Sequence, residues 1–301
     1  MADELRILRR PTLQRPVLIA AFRGWNDGGQ GASLAGGYLA KLWQARKFAE
    51  IDPEGFYDFQ VSRPHVSLVD GVTRRIDWPE NAFYHARVEG LEYDPVLLLG
   101  IEPNVRWRTF TELIVQLARD LGVELVITLG ALLADVPHTR PAPVTGSASS
   151  PELVEQLNLS QSRYEGPTGI VGVLHDACRE AELPSASLWA AVPHYVSLNP
   201  SPKAAQALCE RLGSLLGGVI ETDELARAAE AYSEQVTEAV SGDPETAAYV
   251  AELEQRADAL APEGELPTGD MIAAELTRFL RERERGNGGP GSGAPGGAGE
   301  H

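Results

Sequence analysis

Cysteine, lysine and long apolar runs are what this sequence has least of. Its 301 residues include two cysteines, Cys178 and Cys209. Two are too few for a disulfide framework or a cysteine-built metal site, so both are expected to pack as reduced, small apolar side chains. No stretch approaches the roughly 18 consecutive apolar residues of a membrane-spanning helix. The N-terminal MADELRILRRPTLQRP lacks the apolar centre of a secretory signal. Both absences point to the cytoplasm and away from a membrane. Metal-ligand spacing is missing as well, with no H-x-x-x-H pair and no carboxylate cluster. There is no G-x-S-x-G nucleophile elbow. Neither G-x-x-x-x-G-K-[ST] nor G-x-G-x-x-G occurs. The sequence therefore assigns no catalytic residue, no metal and no cofactor.

Positive charge is scarce too. The formal net charge is −17, and three lysines stand against 23 arginines. So acidic a surface is a poor match for nucleic acid, whose phosphates need basic partners. The excess is uneven. Residues 221–285 carry 17 acids and 6 arginines, whereas residues 1–220 carry 25 acids and 20 bases. A nearly balanced segment precedes a strongly acidic one.

With 43% hydrophobic residues, the chain can bury a sizeable core. Residues 1–220 alternate short apolar runs with helical patterns. PVLIAAF, PVLLLGI, VELVITLGAL and SASLWAAV read as strands covered on both faces. AFYHARV is a further strand, and HVSLVDGVTRRIDW a hairpin turning at Asp70-Gly71 that makes the sheet mixed. Between the strands, GASLAGGYLAKLW, NVRWRTFTELIVQLARDLG, GIVGVLHDACREAEL and SPKAAQALCERLGSLLG read as helices. In the second, Trp107, Phe110, Ile114, Leu117 and Leu121 form one stripe, with Asn104 expected as N-cap and Gly122 as terminator. Strands alternating with helices predict a mixed, mainly parallel sheet in a three-layer α/β sandwich.

Residues 221–285 read as an acidic helical extension of three helices. Its first, TDELARAAEAYSEQVTEAV, carries a stripe of Leu225, Ala229, Tyr232, Val236 and Val240. That stripe must bury against the preceding body or against another subunit. Residues 286–301, GNGGPGSGAPGGAGEH, are too poor in apolar residues to order and are expected to be disordered.

Four loops at strand ends hold the candidate site residues. FRGWNDGGQGA crowds four glycines into a strand-to-helix turn that also bears Arg23, Trp25, Asn26 and Asp27. Two readings stand for it. Helix N–H groups with Arg23 can hold an anion or nucleotide. Alternatively Asp27 supplies the helix with its own anion and the loop is a tight turn with Trp25 packed on the body. GIEPNVRW places Glu102, Arg106 and Arg108 where open sheets bind ligands, or else as a solvated Glu–Arg pair. TLGALLADVPHTRPAPVTGSAS runs from a strand into roughly twenty residues of loop, a length that suggests function or flexibility. There His138 and Arg140 can bind an anion with Asp135 orienting the histidine, or the loop can cover an oligomer interface. VPHYVSLNPS brings His194 and Tyr195. If the four loops converge on one sheet edge they form a pocket, although nothing in it names a reaction.

FRGWNDGGQGA, LLLGIEPNVRWRTF, TLGALLADVPHTRP, YEGPTGI and PHYV, in that order, resemble the actinobacterial branch of the proteasome assembly chaperone family, the group related to the second member of the eukaryotic chaperone pair. The resemblance covers residues 14–220, and the acidic extension fits the same branch. It implies a fold similar to the purine nucleoside phosphorylase and hydrolase group, and a homo-oligomer such as a trimer. It implies proteasome subunits as partners and does not imply catalysis. Some relatives have been labelled ATP-grasp ligases, but the lysine and carboxylate set of such enzymes is not recognisable here. Chaperones and activators of this kind dock on the proteasome ring through a C-terminal hydrophobic–Tyr–any tail. This sequence ends Gly299-Glu300-His301, so docking through the acidic helices is the expected alternative. The functional expectation is a non-enzymatic protein-binding or assembly-chaperone-like protein. The rival expectation is a nucleoside- or phosphate-binding protein or enzyme of the nucleoside phosphorylase or hydrolase type. A scaffold for an unrelated partner is a third.

Overall fold

The structure, a computed structural model, describes residues 4–159 and 164–260. The third acidic helix and the Gly/Pro-rich tail of the sequence reading lie outside them. The strands are β1 (Leu5–Ile7), β2 (Pro16–Arg23), β3 (Arg46–Ile51), β4 (His65–Val69), β5 (Thr73–Asp77), β6 (Asn81–His85), β7 (Asp94–Ile101), β8 (Leu125–Ala134), β9 (Val144–Ala148) and β10 (Ser185–Pro193). The helices are α1 (Gly31–Leu42), α2 (Trp107–Leu121), α3 (Pro151–Gln156), α4 (Ile170–Glu180), α5 (Pro202–Leu215), α6 (Asp223–Ser241) and α7 (Pro244–Leu260).

The main sheet runs β1-β3-β6-β7-β2-β8-β10-β9. Its centre, β7-β2-β8-β10, is parallel throughout, and shorter antiparallel strands close both sides. The mixed, mainly parallel sheet is thus present, in an α/β fold with the C-terminal helices added. Apolar runs without alternation are explained by cover on both faces. In β2, Leu18, Ala20 and Phe22 enter the core under α2 and α4, while Val17, Ile19 and Ala21 enter the core under α1 and α5. Phe110 of α2 packs edge-on against Phe22 at 6.1 Å and Phe56 at 5.3 Å between ring centroids. Cys178 and Cys209 are buried in opposite cores, and burial pushes each thiol up to about 12.

Several local expectations are corrected. The hairpin at Asp70-Gly71 exists, both residues at positive φ, but β4 and β5 form a separate two-stranded sheet. The antiparallel members of the main sheet are β1, β3, β6 and β9 instead. Of these, β1, β3 and β9 are short or polar and carry little apolar signal. Because β8 extends to Ala134 and Val144–Ala148 pairs with β10, the long loop shrinks to residues 135–143. Asn104 does not cap α2. Arg106 occupies that position in the left-handed region, and Asn104 Oδ1 accepts instead from Asp58 N–H at 2.9 Å and Ser62 Oγ at 3.0 Å. Gly122 ends α2 at φ 72°.

The helical extension buries its stripe on this body. Leu225, Ala229, Tyr232 and Val236 of α6 are buried, and Leu225 belongs to the core shared with α1 and α5. Tyr38 Oη donates to Glu221 C=O at 2.8 Å, and Lys41 meets Glu224 at 2.8 Å.

A half-buried histidine sits beneath the sheet. His175 of α4 joins Thr128 Oγ1 and Ser185 Oγ, each at 2.9 Å. Burial pushes its pKa down from 6.5 to about 4. The folded state therefore binds fewer protons than the unfolded chain between these values, and stability falls as pH drops from 6.5 towards 4. His175→Gln should remove about 1–3 kcal/mol of that acid-side loss. Urea unfolding of both proteins across this pH range measures it, and equal slopes would contradict the assignment.

Candidate functional site

Because β7, β2, β8 and β10 are parallel, their C-terminal ends at Ile101, Arg23, Ala134 and Pro193 share one edge. The helix after β2 packs on one face and the helix after β7 on the other. That arrangement is where open α/β sheets place ligands. The edge carries two clusters of candidate residues.

The first joins the glycine turn to Glu102 and the start of α4. Asp27 Oδ1 accepts from Ala32 N–H at 2.9 Å and Ser33 N–H at 3.1 Å, the first-turn donors of α1. The helix thus has an internal anion where a phosphate would bind. Asp27 is 8% exposed and its Oδ2 has no partner. Burial raises its pKa, against its hydrogen bonds to Ser33 and Ala32 and the nearby charge of Arg23. Glu102 does the equivalent work at α4, on the other face of the sheet: Oε1 accepts from the N–H of Ile170, its first residue, at 2.8 Å, and Oε2 from Trp25 N–H at 3.1 Å. Gly24, at φ 149°, is required by this contact, since a Cβ there would lie 2.7 Å from Glu102 Cβ. A Cβ at Gly28 would lie 3.0 Å from Ala131 C=O. These glycines admit neighbouring protein. Trp25, expected on the body, is 46% exposed. The turn closed by Asp27 N–H on Gly24 C=O directs Asn26 and Asp27 inward and leaves Trp25 at its outer corner.

The second cluster joins residues 135–140 to His194 and the helical extension. Asp135 does not orient His138; its Oδ1 meets His194 Nδ1 at 3.0 Å. His138 is 2% exposed. Its Nδ1 lies 2.8 Å from Tyr195 Oη, and its Nε2 lies 3.0 Å from Thr237 Oγ1 of α6. Tyr195 Oη already accepts the His138 backbone N–H, and Thr237 Oγ1 already donates to Ser233 C=O. The hydroxyl of Tyr195 must then donate to Nδ1 while Nε2–H donates to Thr237, which assigns a neutral imidazole. Burial and the charge of Lys203 lower its pKa accordingly. Arg140 is bidentate on Asp258 of α7, at 2.7 and 2.8 Å. His138, Tyr195, His194 and Tyr249 stack edge to face with centroids 5.7–6.1 Å apart. The void left beneath is about 10 Å³, no more than a water's space. His138 and Arg140 therefore hold helices where the sequence left room for an anion.

The remaining candidates lie apart. Arg106 pairs with Glu4 at 2.6 Å and covers the Phe56 ring at 5.0 Å. Arg108 is exposed on the first turn of α2. Arg23 is exposed in an open groove of about 350 Å³ with Ser33, Glu80 and Tyr84 on its walls. Sequence reasoning missed Thr237, Tyr249, Asp258 and Lys203, which complete the second cluster. Thr237 lies on α6, Tyr249 and Asp258 on α7 and Lys203 at the start of α5, and no local pattern joins them to residues 135–140. Among the described residues, no group of three His, Cys, Asp or Glu is placed to hold a metal ion, and no helix is long and apolar enough to cross a membrane.

The PAC2 family model matches residues 21–240, which include the first cluster and, of the second, all but the α7 residues Tyr249 and Asp258. This chain belongs to the PAC2 family. A PAC2 family protein from Streptomyces avermitilis is 50% identical, over 78% of this chain and 99% of that one, with a TM-score of 0.73. A proteasome-assembly chaperone homologue from Mycobacterium tuberculosis is 48% identical, over 78% of this chain and 99% of that one, with a TM-score of 0.71. PbaB of Pyrococcus furiosus, an archaeal proteasome activator, is 17% identical, over 78% and 97% of the two chains, with a TM-score of 0.65, and shares the fold. No curated protein matches the sequence.

In this PAC2 protein the two clusters make separable predictions. Asp27→Ala should lower stability by about 1–2 kcal/mol through loss of the α1 cap. Asp27→Asn keeps an acceptor and removes the buried charge, so it should cost less. The raised pKa means that ionisation of Asp27 weakens folding as pH rises from 3.8, a slope Asp27→Asn should lack. Denaturant melts at several pH values decide both points. His138→Ala strands Tyr195 and Thr237 and should cost about 1–3 kcal/mol. Amide exchange should then accelerate in residues 223–258 more than in the sheet; uniform acceleration would contradict the latch.

Proposed function

We propose that this PAC2 protein is a non-enzymatic, assembly-chaperone-like protein of the cytoplasm that binds proteasome-related subunits and associates with itself. The observation that carries this reading is the self-occupied strand edge. Asp27 and Glu102 take the helix N-terminal donors, and His138 and Arg140 take α6 and α7. What the body offers outward is protein surface with an acidic helical face. The proteasome-assembly chaperone homologue at 48% identity supports the choice of partner. Immobilised full-length protein should enrich purified proteasome α subunits over an unrelated acidic protein of similar size. Equal recovery of both would refute the proteasome reading.

A second reading rests on the open groove beside Arg23, whose guanidinium, Ser33 hydroxyl and Tyr84 phenol can meet a small anion or nucleoside. It predicts a raised melting temperature with millimolar phosphate or nucleoside, abolished by Arg23→Ala. An unchanged melting temperature rejects it.

A further inference from the structure

The groove beside Arg23 is shaped by how α1 rests on the sheet. A Cβ at Gly36 would lie 2.6 Å from Leu99 Cδ2, so there the helix touches β7 directly. One residue on, a Cβ at Gly37 would meet nothing within 4 Å. The helix wall is cut back at that point. Beneath it lie Ala21 and Leu99, paired across β2 and β7, and Leu34 of α1 continues the apolar lining. Glu80 and Tyr84, just before and within β6, form the opposite wall. The space of about 350 Å³ is at the small end of the roughly 300–1,000 Å³ of ligand pockets.

The polar groups narrow the ligand. Arg23 lines the groove, is exposed, and makes no ion pair among the described residues. Glu80, the one acid on the walls, is already held by Lys47. Burial and the charge of Glu80 raise the Tyr84 pKa, so its phenol stays a neutral donor. Ser33 Oγ is loosely committed, 3.4 Å from Gln30 C=O. The first-turn N–H groups of α1 are spent, because Asp27 accepts from both Ala32 and Ser33. A phosphate dianion therefore meets one cation and no free helix N-terminus. A neutral nucleoside leaves Arg23 without a counter-charge. A carboxylate matches better, since it carries one charge and a guanidinium grips its two oxygens through parallel N–H bonds. A free amino acid also brings an ammonium, which needs an acid, and Glu80 is taken. At the end of a polypeptide that ammonium is replaced by a peptide N–H, and the last side chain can lie on Ala21, Leu34 and Leu99.

We propose that this groove takes the C-terminal carboxylate of a partner protein, held by Arg23 and Ser33, with an apolar last side chain laid in the space that Gly37 leaves. This rests on the groove of the second reading and assigns it a protein ligand. Fluorescence anisotropy tests it, with labelled peptides ending in alanine, valine, leucine or phenylalanine titrated with full-length protein. At least one peptide with a free carboxylate should bind, and its C-terminal amide at least about tenfold more weakly. Arg23→Gln should weaken binding of the acid at least about tenfold and leave the amide unaffected. Gly37→Leu should block the groove while the melting temperature stays level or rises, because leucine favours a helix over glycine. The free amino acid should displace the bound peptide far less well than the unlabelled peptide does. Equal binding of acid and amide, or binding indifferent to Gly37→Leu, overturns the carboxylate site. Equal displacement by the amino acid and the peptide overturns the protein partner. If no peptide binds but phosphate or nucleoside raises the melting temperature through Arg23, the carboxylate is overturned and the second reading stands. If none of these ligands has an effect, both are rejected, and proteasome capture is decided separately.

Discussion

Free N–H groups at a helix start must find an acceptor, and in this molecule that requirement is met by two carboxylates at the mouth of the parallel sheet. Asp27 holds the first turn of α1, and Glu102 holds the first residue of α4. Everything nearby follows from these contacts. Gly24 is glycine because Glu102 presses on it, and the Gly24–Asp27 turn is tight because Asp27 must point inward. The same geometry that gives related α/β architectures a phosphate cradle is here satisfied from within the chain.

The other half of the edge is closed by a different means. A neutral His138, fixed between Tyr195 and Thr237, and a bidentate Arg140–Asp258 pair bind the acidic helices to the strand ends. The charge asymmetry seen in the sequence then has a structural counterpart. The acidic segment is anchored by its apolar stripe, and Glu230, Glu234 and Glu238 of α6 are exposed.

Much of this was legible in the residues. The continuous apolar runs of β2, β7, β8 and β10 announced a sheet covered on both faces, and Asp27 at the head of a glycine-rich turn already offered a helix its own anion. What stayed hidden depended on partners far along the chain. β1, β3 and β9 are short, charged or small-residue strands whose identity comes from pairing, so local pattern does not reveal them. Asn104 looked like a cap because caps are read locally, yet its acceptor is claimed by Asp58 and Ser62. His138 and Arg140 looked free because Thr237 and Asp258 stand about a hundred residues away.

Backbone amide exchange at Ala32, Ser33 and Ile170 tests the self-occupied edge most directly. If Asp27 and Glu102 already hold these N–H groups, all three are protected in the ligand-free protein, and millimolar phosphate or nucleoside leaves their rates unchanged. Fast exchange that slows only when such a ligand is added would show that the edge is an open binding site.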